Sequence, residues 1–255
     1  MREQINKVLV VGATGSIGRQ VVTIGARAGF AIRALVRQAS QAEVFPSGVE
    51  VVVGDLTDAS SLVPAVEGID AVVFTHGANG RPPGPEAVDY GAVRNVLTAL
   101  GGRKVRIALM TTVGVTDRKG AHDWKRRGER LVRASGMPYT IVRPGWFDFN
   151  GPDQHRIVML QGDRYQSGTP RDGVISRQQL AQVLLWSLCS EAAQGTTFEL
   201  TSAVGAQQED LDAVAAELDP DIPGAVDAAH DALNMPLIGE PEHIRLELQR
   251  IRDSS

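Results

Sequence analysis

The chain has 255 residues, of which 43% are hydrophobic and 22% charged, and its formal net charge of −4 gives a pI near 5.8. This length suffices for one large α/β domain with a small added lobe, or for two modest domains. The acidic balance argues against a direct nucleic-acid-binding surface, which is usually basic. No apolar run approaches the roughly 20 residues that span a bilayer, and the N-terminus lacks the apolar core of a signal peptide. We therefore expect no membrane association and a cytoplasmic location.

Cys189 is the only cysteine, so the chain cannot form an intrachain disulfide. It lies in an apolar helical pattern over residues 180–189, where a free thiol usually packs as a small hydrophobic side chain. No histidine lies beside it in the sequence, so we do not expect a catalytic cysteine. This usage fits a reducing compartment, and no spacing of ligand residues predicts a metal site.

The first apolar run, residues 8–11, ends in a glycine turn. Gly12, Gly15 and Gly18 follow at three-residue intervals, and an apolar stripe with helical spacing comes next. A strand, a glycine turn and a helix N-terminus together form a phosphate site, because free N–H groups and the helix dipole favour an anion there. Gly12 permits the sharp turn, Gly15 lets a pyrophosphate approach the backbone, and Gly18 lets the helix pack close to the sheet. The stretch predicts a dinucleotide-binding fold, with a tight turn that binds nothing as the alternative.

Short apolar runs alternate with amphipathic segments over the first two-thirds of the chain, which is typical of parallel β-α-β units. We predict strands at about residues 7–11, 31–37, 49–54, 71–75, 105–112 and 139–143, and helices near 17–28, 59–67, 86–100 and 124–135. Right-handed crossovers place the carboxyl ends of parallel strands at one edge of the sheet, where ligands bind. The predicted fold class is therefore α/β, a doubly wound parallel Rossmann sheet with a small C-terminal substrate-side lobe.

This pattern divides the chain in two. Residues 1–147 are predicted to form the NAD(P)-binding Rossmann domain, and residues 148–255 the C-terminal lobe, packed on the same unit. Within the second part we expect a short apolar run at 157–160 and a further strand at 197–201. The last 50 residues are acidic and alanine-rich with helical patterning interrupted by prolines.

Several motifs resemble those of the extended and atypical short-chain dehydrogenase/reductase families, including the NmrA-like group. The glycine spacing G-x-x-G-x-x-G in GATGSIGR is the first of these. The others are VDYGAVRN at 88–95, K-x-x-x-E at 125–129, SGMPYTIVRPG at 135–145 and ISR at 175–177. The resemblance extends from about residue 7 to 200, and it implies binding of a nicotinamide dinucleotide.

Arg37, at the end of the second strand, is predicted to determine whether NADP or NAD binds. An NAD-preferring fold carries an acidic residue about 20 positions after the glycines, whereas the guanidinium of Arg37 suits a ribose 2′-phosphate. Arg33 and Arg19 are second choices, and a solvated arginine at a strand end is the alternative. The position favours NADP, bound as NADPH.

The resemblance assigns further cofactor contacts at the other strand ends. Asp55 and the Leu56 backbone N–H are expected at the adenine ring, although Thr57 and Asp58 can also cap the next helix. The fourth strand opens into a long Gly/Pro-rich loop near the ribose, where His76 either donates a hydrogen bond or is a structural histidine. The full predicted cofactor set is Gly12, Thr14, Gly15, Ser16, Ile17, Gly18, Arg37, Asp55, Leu56, Thr75, His76, Gly77, Thr111, Lys125, Pro144, Gly145, Trp146 and Phe147.

The motif VDYGAVRN contributes support rather than chemistry. The resemblance implies that Asn95 supports the site from behind, and we interpret Tyr90 as partly buried packing. Trp146, Phe147 and Phe149 are expected either to form the wall of an apolar pocket or to belong to the core.

The predicted catalytic residues are Lys125, Thr112 and His122. Relatives carry a Ser or Thr hydroxyl after the fifth strand that orients a substrate carbonyl; Thr112 is the first choice here and Thr111 the second. Relatives also often carry Tyr-x-x-x-Lys, in which Lys125 matches the lysine but Ala121 stands at the tyrosine position. A methyl group cannot transfer a proton, so the proton is expected from water or from His122.

Two functions remain open. The first is an NADP-dependent oxidoreductase acting on a small carbonyl, quinone or enone substrate. The second is a non-catalytic NmrA-like NAD(P)-binding sensor, in which cofactor occupancy changes a protein contact. The expected partners are a small-molecule substrate and either a second copy or another protein, with no direct nucleic-acid contact.

Overall fold

The computed structural model of the chain describes residues 5–78, 80 and 82–254. Its strands are β1 (Lys7–Val11), β2 (Ala31–Val36), β3 (Glu50–Val53), β4 (Ala71–Phe74), β5 (Arg106–Met110), β6 (Tyr139–Pro144), β7 (Trp146–Phe147), β8 (Arg156–Leu160), β9 (Val174–Ile175) and β10 (Thr196–Ala203). Its α-helices are α1 (Ser16–Arg27), α2 (Val63–Val66), α3 (Gly91–Leu100), α4 (Ala121–Ala134), α5 (Arg177–Cys189), α6 (Leu211–Ala215) and α7 (Glu242–Asp253).

Eight strands form one sheet in the order β3-β2-β1-β4-β5-β6-β10-β8. Its neighbouring strands run parallel except β10 and β8, which are antiparallel. The order reverses between β1 and β4, because β2 and β3 lie on one side of β1 and the later strands on the other. In open α/β sheets such a reversal opens a crevice at the carboxyl ends of the strands, where ligands bind. The glycine turn after β1 lies at this crevice.

Helices cover both faces of the sheet. Along β1 the side chains alternate: Val8 and Val10 belong to the cluster with α1 and α5, whereas Leu9 and Val11 belong to the cluster with α2, α3, α4 and α7. All four side chains are fully buried. Burial on both faces is typical of parallel sheets and explains why β1 is a continuous apolar run in the sequence. Each such side chain stabilises the fold by about 1.5–3 kcal/mol.

The structure confirms the predicted α/β fold, and the six predicted strands appear within two residues of their expected bounds. Two helices differ in detail. The segment expected at 59–67 begins as a 3-10 turn over Ala59–Leu62, because the Asp58 side chain accepts the Ser60 N–H and favours a tight turn. The segment expected at 86–100 begins as a π turn over Glu86–Tyr90 before α3.

The residues after 147 contribute to the same sheet. β10 pairs with β6, and β8, which the parallel pattern did not predict, adds an antiparallel edge. Helix α5 packs against α1, and Cys189 at its end is exposed rather than buried. The division at residue 147 stays a prediction. Of the helices described, none is both long and apolar enough to cross a membrane.

Residues 219–240, here called the C-terminal strap, are bound to α4 through its arginines. Arg126 and Arg130 both donate to the Asp227 carboxylate, at 3.1 and 2.9 Å, and Arg130 also donates to Glu240 at 3.1 Å. The two arginines are at most 2% exposed. Buried charges require partners of this kind, so the strap is an integral part of the folded unit.

Candidate cofactor and active site

The glycine turn after β1 lies directly against the carboxyl end of β4. A Cβ atom at Gly12 would come within 2.7 Å of the His76 backbone nitrogen, and Gly12 also has a φ of +84°. A Cβ atom at Gly18 would lie 2.1 Å from the Gly12 carbonyl oxygen. Only glycine fits at these two positions, which explains how α1 approaches the sheet so closely. Thr14, in the same turn, is half-buried.

The first turn of α1 keeps free donors. Gly15 is exposed, and a Cβ atom there would meet only the Gly12 carbonyl oxygen, at 3.2 Å. Within the described part of the chain no side chain caps the helix, and the N–H groups of Ser16, Ile17 and Gly18 make no hydrogen bond there. Uncapped donors at a helix N-terminus, beside a residue without a side chain, fit a diphosphate. The glycine turn and the first turn of α1, here called the diphosphate cradle, therefore suit a dinucleotide.

Thr75 and His76 form the opposite wall of the crevice. Thr75 Oγ1 donates to the Val11 carbonyl at 3.0 Å and joins β4 to β1. His76 is buried; its Nε2 lies 3.4 Å from the Asp89 carbonyl oxygen, and its Nδ1 has no partner among the described residues. Burial, and then the Lys125 charge, lower the pKa of His76 to about 4. Because Nε2 faces a carbonyl, it carries the hydrogen of the neutral ring, and Nδ1 is an acceptor.

Lys125 is bound to a buried carboxylate. Its Nζ lies 2.8 Å from Asp89 Oδ1, and the two side chains are 20% and 4% exposed. The same carboxylate oxygen accepts the Ala78 N–H at 3.1 Å, so the pair fixes the segment after β4. The lysine predicted to hold the ribose thus already has a partner. Of the loop that follows β4, Gly77 is half-buried, and Asn79 and Arg81 lie outside the described residues.

The arginines of β2 have opposite environments. Arg37 follows β2 and is exposed, and its side chain makes no hydrogen bond or ion pair to the described part of the chain. Arg33 is buried, and its Nη1 donates to the carbonyls of Ala65 and Glu67 at 2.9 and 2.6 Å. Those are orphan carbonyls at the end of α2. Arg33 is therefore a structural residue and not an alternative reader of a 2′-phosphate.

The loop after β3 is supported from below. Asp55 is exposed, and its Oδ1 accepts the Thr57 N–H at 2.8 Å. Asn95 Nδ2 donates to the Leu56 carbonyl at 2.7 Å. This bond explains the asparagine of the VDYGAVRN motif, which the resemblance placed behind the site.

A cavity of about 300 Å³ lies beyond the carboxyl ends of β5 and β6. Six of the predicted residues line it: Thr112, His122, Pro144, Gly145, Trp146 and Phe147. Gln166 and Gly168, from the part after residue 147, also contribute to its lining. The volume matches the lower end of the range for small-molecule sites.

Two acceptors orient His122 in this cavity. Its Nδ1 lies 2.8 Å from the Gly114 carbonyl oxygen and 3.2 Å from Asp117 Oδ1. A carbonyl only accepts, so Nδ1 carries the hydrogen, while Nε2 makes no hydrogen bond to a described residue. Asp117 is also paired with Lys119 at 2.9 Å. This arrangement leaves Nε2 free to exchange a proton with a molecule in the cavity.

Asp163 holds the loop that carries the Gly114 carbonyl. It is 1% exposed and accepts the N–H groups of Gly114 and Thr116 at 2.6 and 2.7 Å. The Thr116 hydroxyl donates to it at 2.8 Å. The position of His122 therefore depends on a carboxylate from beyond β8.

Thr111 and Thr112 have different partners. Thr111 is buried, and its hydroxyl donates to Glu129 Oε1 at 2.7 Å. Because that proton goes to Glu129, the Thr111 hydroxyl is left with only acceptor capacity for a cofactor, and the cofactor contact expected of it stays a prediction. Thr112 is half-buried, lines the cavity and donates to the Val113 carbonyl at 3.1 Å.

The end of β6 forms the aromatic side of the cavity. A Cβ atom at Gly145 would lie 2.4 Å from the Gly173 carbonyl oxygen, so this glycine lets β6 approach the residues before β9. Trp146 is 38% exposed and meets Phe149 edge to face at 6.1 Å. Phe147 is half-buried. Together these rings leave an apolar rim beside Pro144.

Tyr90 does not replace the missing tyrosine. Ala121 opens α4 and is exposed. Tyr90 is buried against Trp124, and its hydroxyl donates to Glu247 at 2.5 Å. Burial and this carboxylate raise the pKa of Tyr90, so it keeps its proton at neutral pH. The interpretation of Tyr90 as packing agrees with these contacts.

Two residues near the site, Asp117 and Arg177, have no role predicted from the sequence. Asp117 lies in an irregular loop five residues before His122, where no periodicity indicates a contact. Arg177 belongs to the ISR motif, which the resemblance placed only at the start of a late helix. Its side chain in fact reaches Ser16 at the glycine turn, with 3.2 Å between Arg177 Nε and Ser16 Oγ.

The sequence is similar to those of known dinucleotide-binding proteins. A family model described as NAD(P)H-binding matches residues 12–191. An uncharacterised chloroplastic protein of Arabidopsis thaliana is 30% identical over 226 residues, which cover 76% of this chain and 69% of that protein. An NAD(P)H azoreductase of Xenophilus azovorans is 29% identical over 199 residues, covering 76% and 67%. Protein TIC 62 of Oryza sativa subsp. japonica is 30% identical over 213 residues, which cover 69% of this chain but only 42% of that longer protein.

Solved structures share the fold. An oxidoreductase from Lactococcus lactis superposes with a TM-score of 0.66 at 15% identity, over 82% of this chain and 95% of that one. A short-chain dehydrogenase/reductase of the wide type from Veillonella parvula, in complex with NADP, gives a TM-score of 0.59 at 17% identity, over 78% and 95%. At these identities the likeness concerns the fold alone.

Proposed function

The chain belongs to the NAD(P)H-binding family, and its motifs resemble those of the atypical short-chain dehydrogenases/reductases; we propose that it is an NADP-dependent oxidoreductase that reduces a small carbonyl, quinone or enone compound. The observation that carries this proposal is His122. Its Nδ1 is bound to Gly114 and Asp117, and the ring lines a cavity next to Pro144 and Gly145. A protein that only bound a dinucleotide would have no use for an oriented histidine at that end of the crevice.

When bound, NADPH would supply a hydride from its dihydronicotinamide. The glycine turn is expected to hold the diphosphate, Asp55 and Leu56 the adenine, and Pro144 and Gly145 the carboxamide. The uncapped start of α1 supports the first of these assignments. The others rest on the family resemblance and on the position of these residues at the strand ends.

His122 is proposed to deliver the proton from Nε2 to the substrate oxygen. Reduction of a carbonyl adds a hydride to carbon and a proton to oxygen, and water then returns a proton to the ring. Asp117, 3.2 Å from Nδ1, offsets the positive charge of the ring when it is protonated. The Thr112 hydroxyl is proposed to orient the substrate oxygen. A positioned proton donor contributes about 10²–10⁴ in rate.

Arg37 supports NADP over NAD. Its guanidinium is exposed at the end of β2 without a partner among the described residues, and a guanidinium binds a phosphate through two parallel hydrogen bonds. The Veillonella parvula neighbour in complex with NADP is consistent with this choice. The aromatic side chains of Trp146 and Phe147 along the cavity favour a substrate with a planar group, and the azoreductase relative supports a small reducible compound.

A second function is favoured by the Lys125–Asp89 pair. Relatives use this lysine beside a tyrosine, but here Ala121 replaces the tyrosine and Lys125 is bound to a buried carboxylate at 2.8 Å. These features suit an NmrA-like sensor in which NADPH binding alters contact with another protein or with a second copy. For both functions we propose a cytoplasmic location.

The deciding experiment measures NADPH turnover with a panel of carbonyl, quinone and enone compounds. For His122→Ala we expect a loss in kcat of about 10²–10⁴ with unchanged NADPH affinity, and for Asp117→Asn a smaller loss. His243→Ala, which removes an exposed histidine on α7, is the matched control.

The possible results separate the two functions. NADPH binding by the wild type without turnover of any compound would overturn the oxidoreductase and favour the sensor. Full turnover in His122→Ala would overturn only the role of His122 as proton donor.

A further inference from the structure

Arg177, the first residue of α5, connects three parts of the crevice. Its Nε lies 3.2 Å from Ser16 Oγ at the start of α1. Its Nη1 donates to Asp148 Oδ2, and its backbone N–H donates to Asp148 Oδ1 at 3.0 Å. Its Cζ lies 5.2 Å from the centre of the Phe147 ring, which lines the cavity. One guanidinium thus contacts both the diphosphate cradle and the cavity wall.

Most of the hydrogen-bonding capacity of Arg177 is unused. A guanidinium has five N–H donors, and those that bind described residues are one on Nε and one on Nη1. Three donors remain, next to the free backbone N–H groups of Ser16 and Ile17. Two independent sets of unpaired donors on one side of the glycine turn indicate an anion with several oxygen atoms.

The ion pair with Asp148 is too weak to explain Arg177 as a residue that only stabilises the fold. The side chains of Arg177 and Asp148 are 37% and 48% exposed, and an exposed pair of this kind stabilises a fold by only about 0–1 kcal/mol. A diphosphate carries more negative charge than one carboxylate and can replace Asp148 as the partner.

We infer that Arg177 binds the diphosphate of the dinucleotide and, through its contact with Phe147, links cofactor occupancy to the wall of the substrate cavity. This inference rests on the proposed NADPH binding. It assigns Asp148 to the free form of the protein, where the carboxylate holds the guanidinium near the cradle. When the diphosphate is bound, the guanidinium stays against Phe147 and closes the gap between Ser16 and the cavity.

The test compares two ligands by calorimetry: NADPH, and adenosine 2′-monophosphate, which lacks the diphosphate. For Arg177→Ala we expect NADPH affinity to fall about tenfold to a hundredfold, as for loss of charge-assisted bonds, with unchanged affinity for the monophosphate. Arg177→Lys keeps the charge but not the planar fork, so its loss should be smaller. Asp148→Asn should bind NADPH at least as tightly as the wild type.

Arg245→Ala is the matched control, because it removes an exposed arginine from α7 on the opposite face of the sheet. The KM of the substrate should also rise in Arg177→Ala at saturating NADPH, which a purely electrostatic effect on the cofactor would not cause. Wild-type NADPH affinity in Arg177→Ala would overturn this inference and leave the proposed function intact. Failure of the wild type to bind NADPH would overturn both.

Discussion

Arg143 and Glu129 form a two-point ion pair between β6 and α4. Arg143 Nε lies 3.0 Å from Glu129 Oε1, and Nη2 lies 2.7 Å from Oε2. Neither side chain is more than 1% exposed. Asp231 of the C-terminal strap binds the other side of the guanidinium at 2.7 and 2.8 Å. Because Thr111 also donates to Glu129, the pair fixes the ends of β5 and β6, where the cavity begins.

Glu129→Gln should lower the free energy of unfolding by about 3–5 kcal/mol, because it breaks a buried two-point ion pair and replaces one of its acceptor oxygens with an amide N–H group facing a guanidinium. Burial alone would raise the pKa of Glu129, but the Arg143 and Arg133 charges outweigh it and lower the pKa to about 2, from an ordinary value of 4.5. This group therefore stabilises the fold above pH 4.5, and its contribution is lost as the pH falls towards 2. Urea unfolding between pH 2 and 6 measures both effects.

In Glu129→Gln, the free energy of unfolding should fall less steeply between pH 4.5 and 2 than in the wild type, because the contribution of Glu129 is missing. Glu217→Gln removes an exposed carboxylate and is the control. A loss below about 1 kcal/mol, the size expected for a surface pair, would contradict the role of this ion pair.

Glu199 should have the opposite effect on stability. Burial raises the pKa of Glu199 to about 7, against the lowering effect of Arg143 and with support from Asp163. The folded protein thus keeps this proton at a pH where the unfolded chain, with a pKa near 4.5, has lost it. Its stabilising contribution is complete below pH 4.5 and disappears as the pH rises through 7. We therefore compare curves of the free energy of unfolding against pH for the wild type and Glu199→Gln. The two curves should differ in slope between pH 4.5 and 7 and run parallel above pH 7. Parallel curves between pH 4.5 and 7 would refute the assignment.

Gly15→Val should abolish NADPH binding and leave the fold intact. A Cβ atom there would meet only the Gly12 carbonyl oxygen, at 3.2 Å, and the valine methyl groups would stand where the diphosphate is expected. Gly18→Ala should instead lower the melting temperature, because its Cβ would lie 2.1 Å from the same oxygen. Gly239→Val, at an open position without a positive φ, is the control. Calorimetry and thermal unfolding separate the effects, and NADPH binding by Gly15→Val would mean that the phosphates lie elsewhere.

Arg37→Ala should reduce the preference for NADPH over NADH. We expect the wild type to bind NADPH more tightly by roughly 1.5–3 kcal/mol, the range for a hydrogen bond to a charged group, and the variant to bind both about equally. Arg27→Ala, at the far end of α1, removes the same charge without touching the crevice. If the wild type bound NADPH and NADH equally tightly, Arg37 would not recognise the 2′-phosphate.

Lys125→Met should destabilise the fold by about 3–5 kcal/mol, because Asp89 would be left buried and unpaired. Adding Asp89→Asn should recover much of that loss, since neither charge then remains. Turnover gives the second measurement. If Lys125 also holds the ribose, the double variant should stay slow although it is stable. Full turnover in the stable double variant would reduce Lys125 to a structural residue.

The fold followed from the sequence because its signals are local. The apolar runs and the glycine turn are each contained within about 20 residues, and each is sufficient to place a strand or a helix start. Arg33 and Arg37 show the limit of that reasoning. They are four residues apart and alike in sequence, but only the carbonyls of α2, more than 30 residues away, make Arg33 structural.

The catalytic side of the site was harder to predict because its geometry depends on distant carboxylates. Thr112 and the residues at the end of β6 are predicted from the family resemblance, and His122 as the titratable neighbour of Ala121; the structure brings them to one cavity. Asp163, which fixes the Gly114 loop, is 49 residues away from Gly114 in the chain. No periodicity or motif links such residues, so the contact has no sequence signal.

Because the ribosome synthesises the chain from its N-terminus, the C-terminal strap is added after α4 and β6, to which it binds. Asp231 follows Arg143 by 88 residues, so at about 5–20 residues per second the ribosome adds it roughly 4–18 s later. During that delay β1 to β6 are complete and Arg143 already has Glu129 as a partner, yet Asp231 is missing from Arg143, and Arg126 and Arg130 lack Asp227. The nascent dinucleotide-binding half therefore gains these ion pairs, and with them the fixed end of β6 beside the cavity, only after the strap has been synthesised.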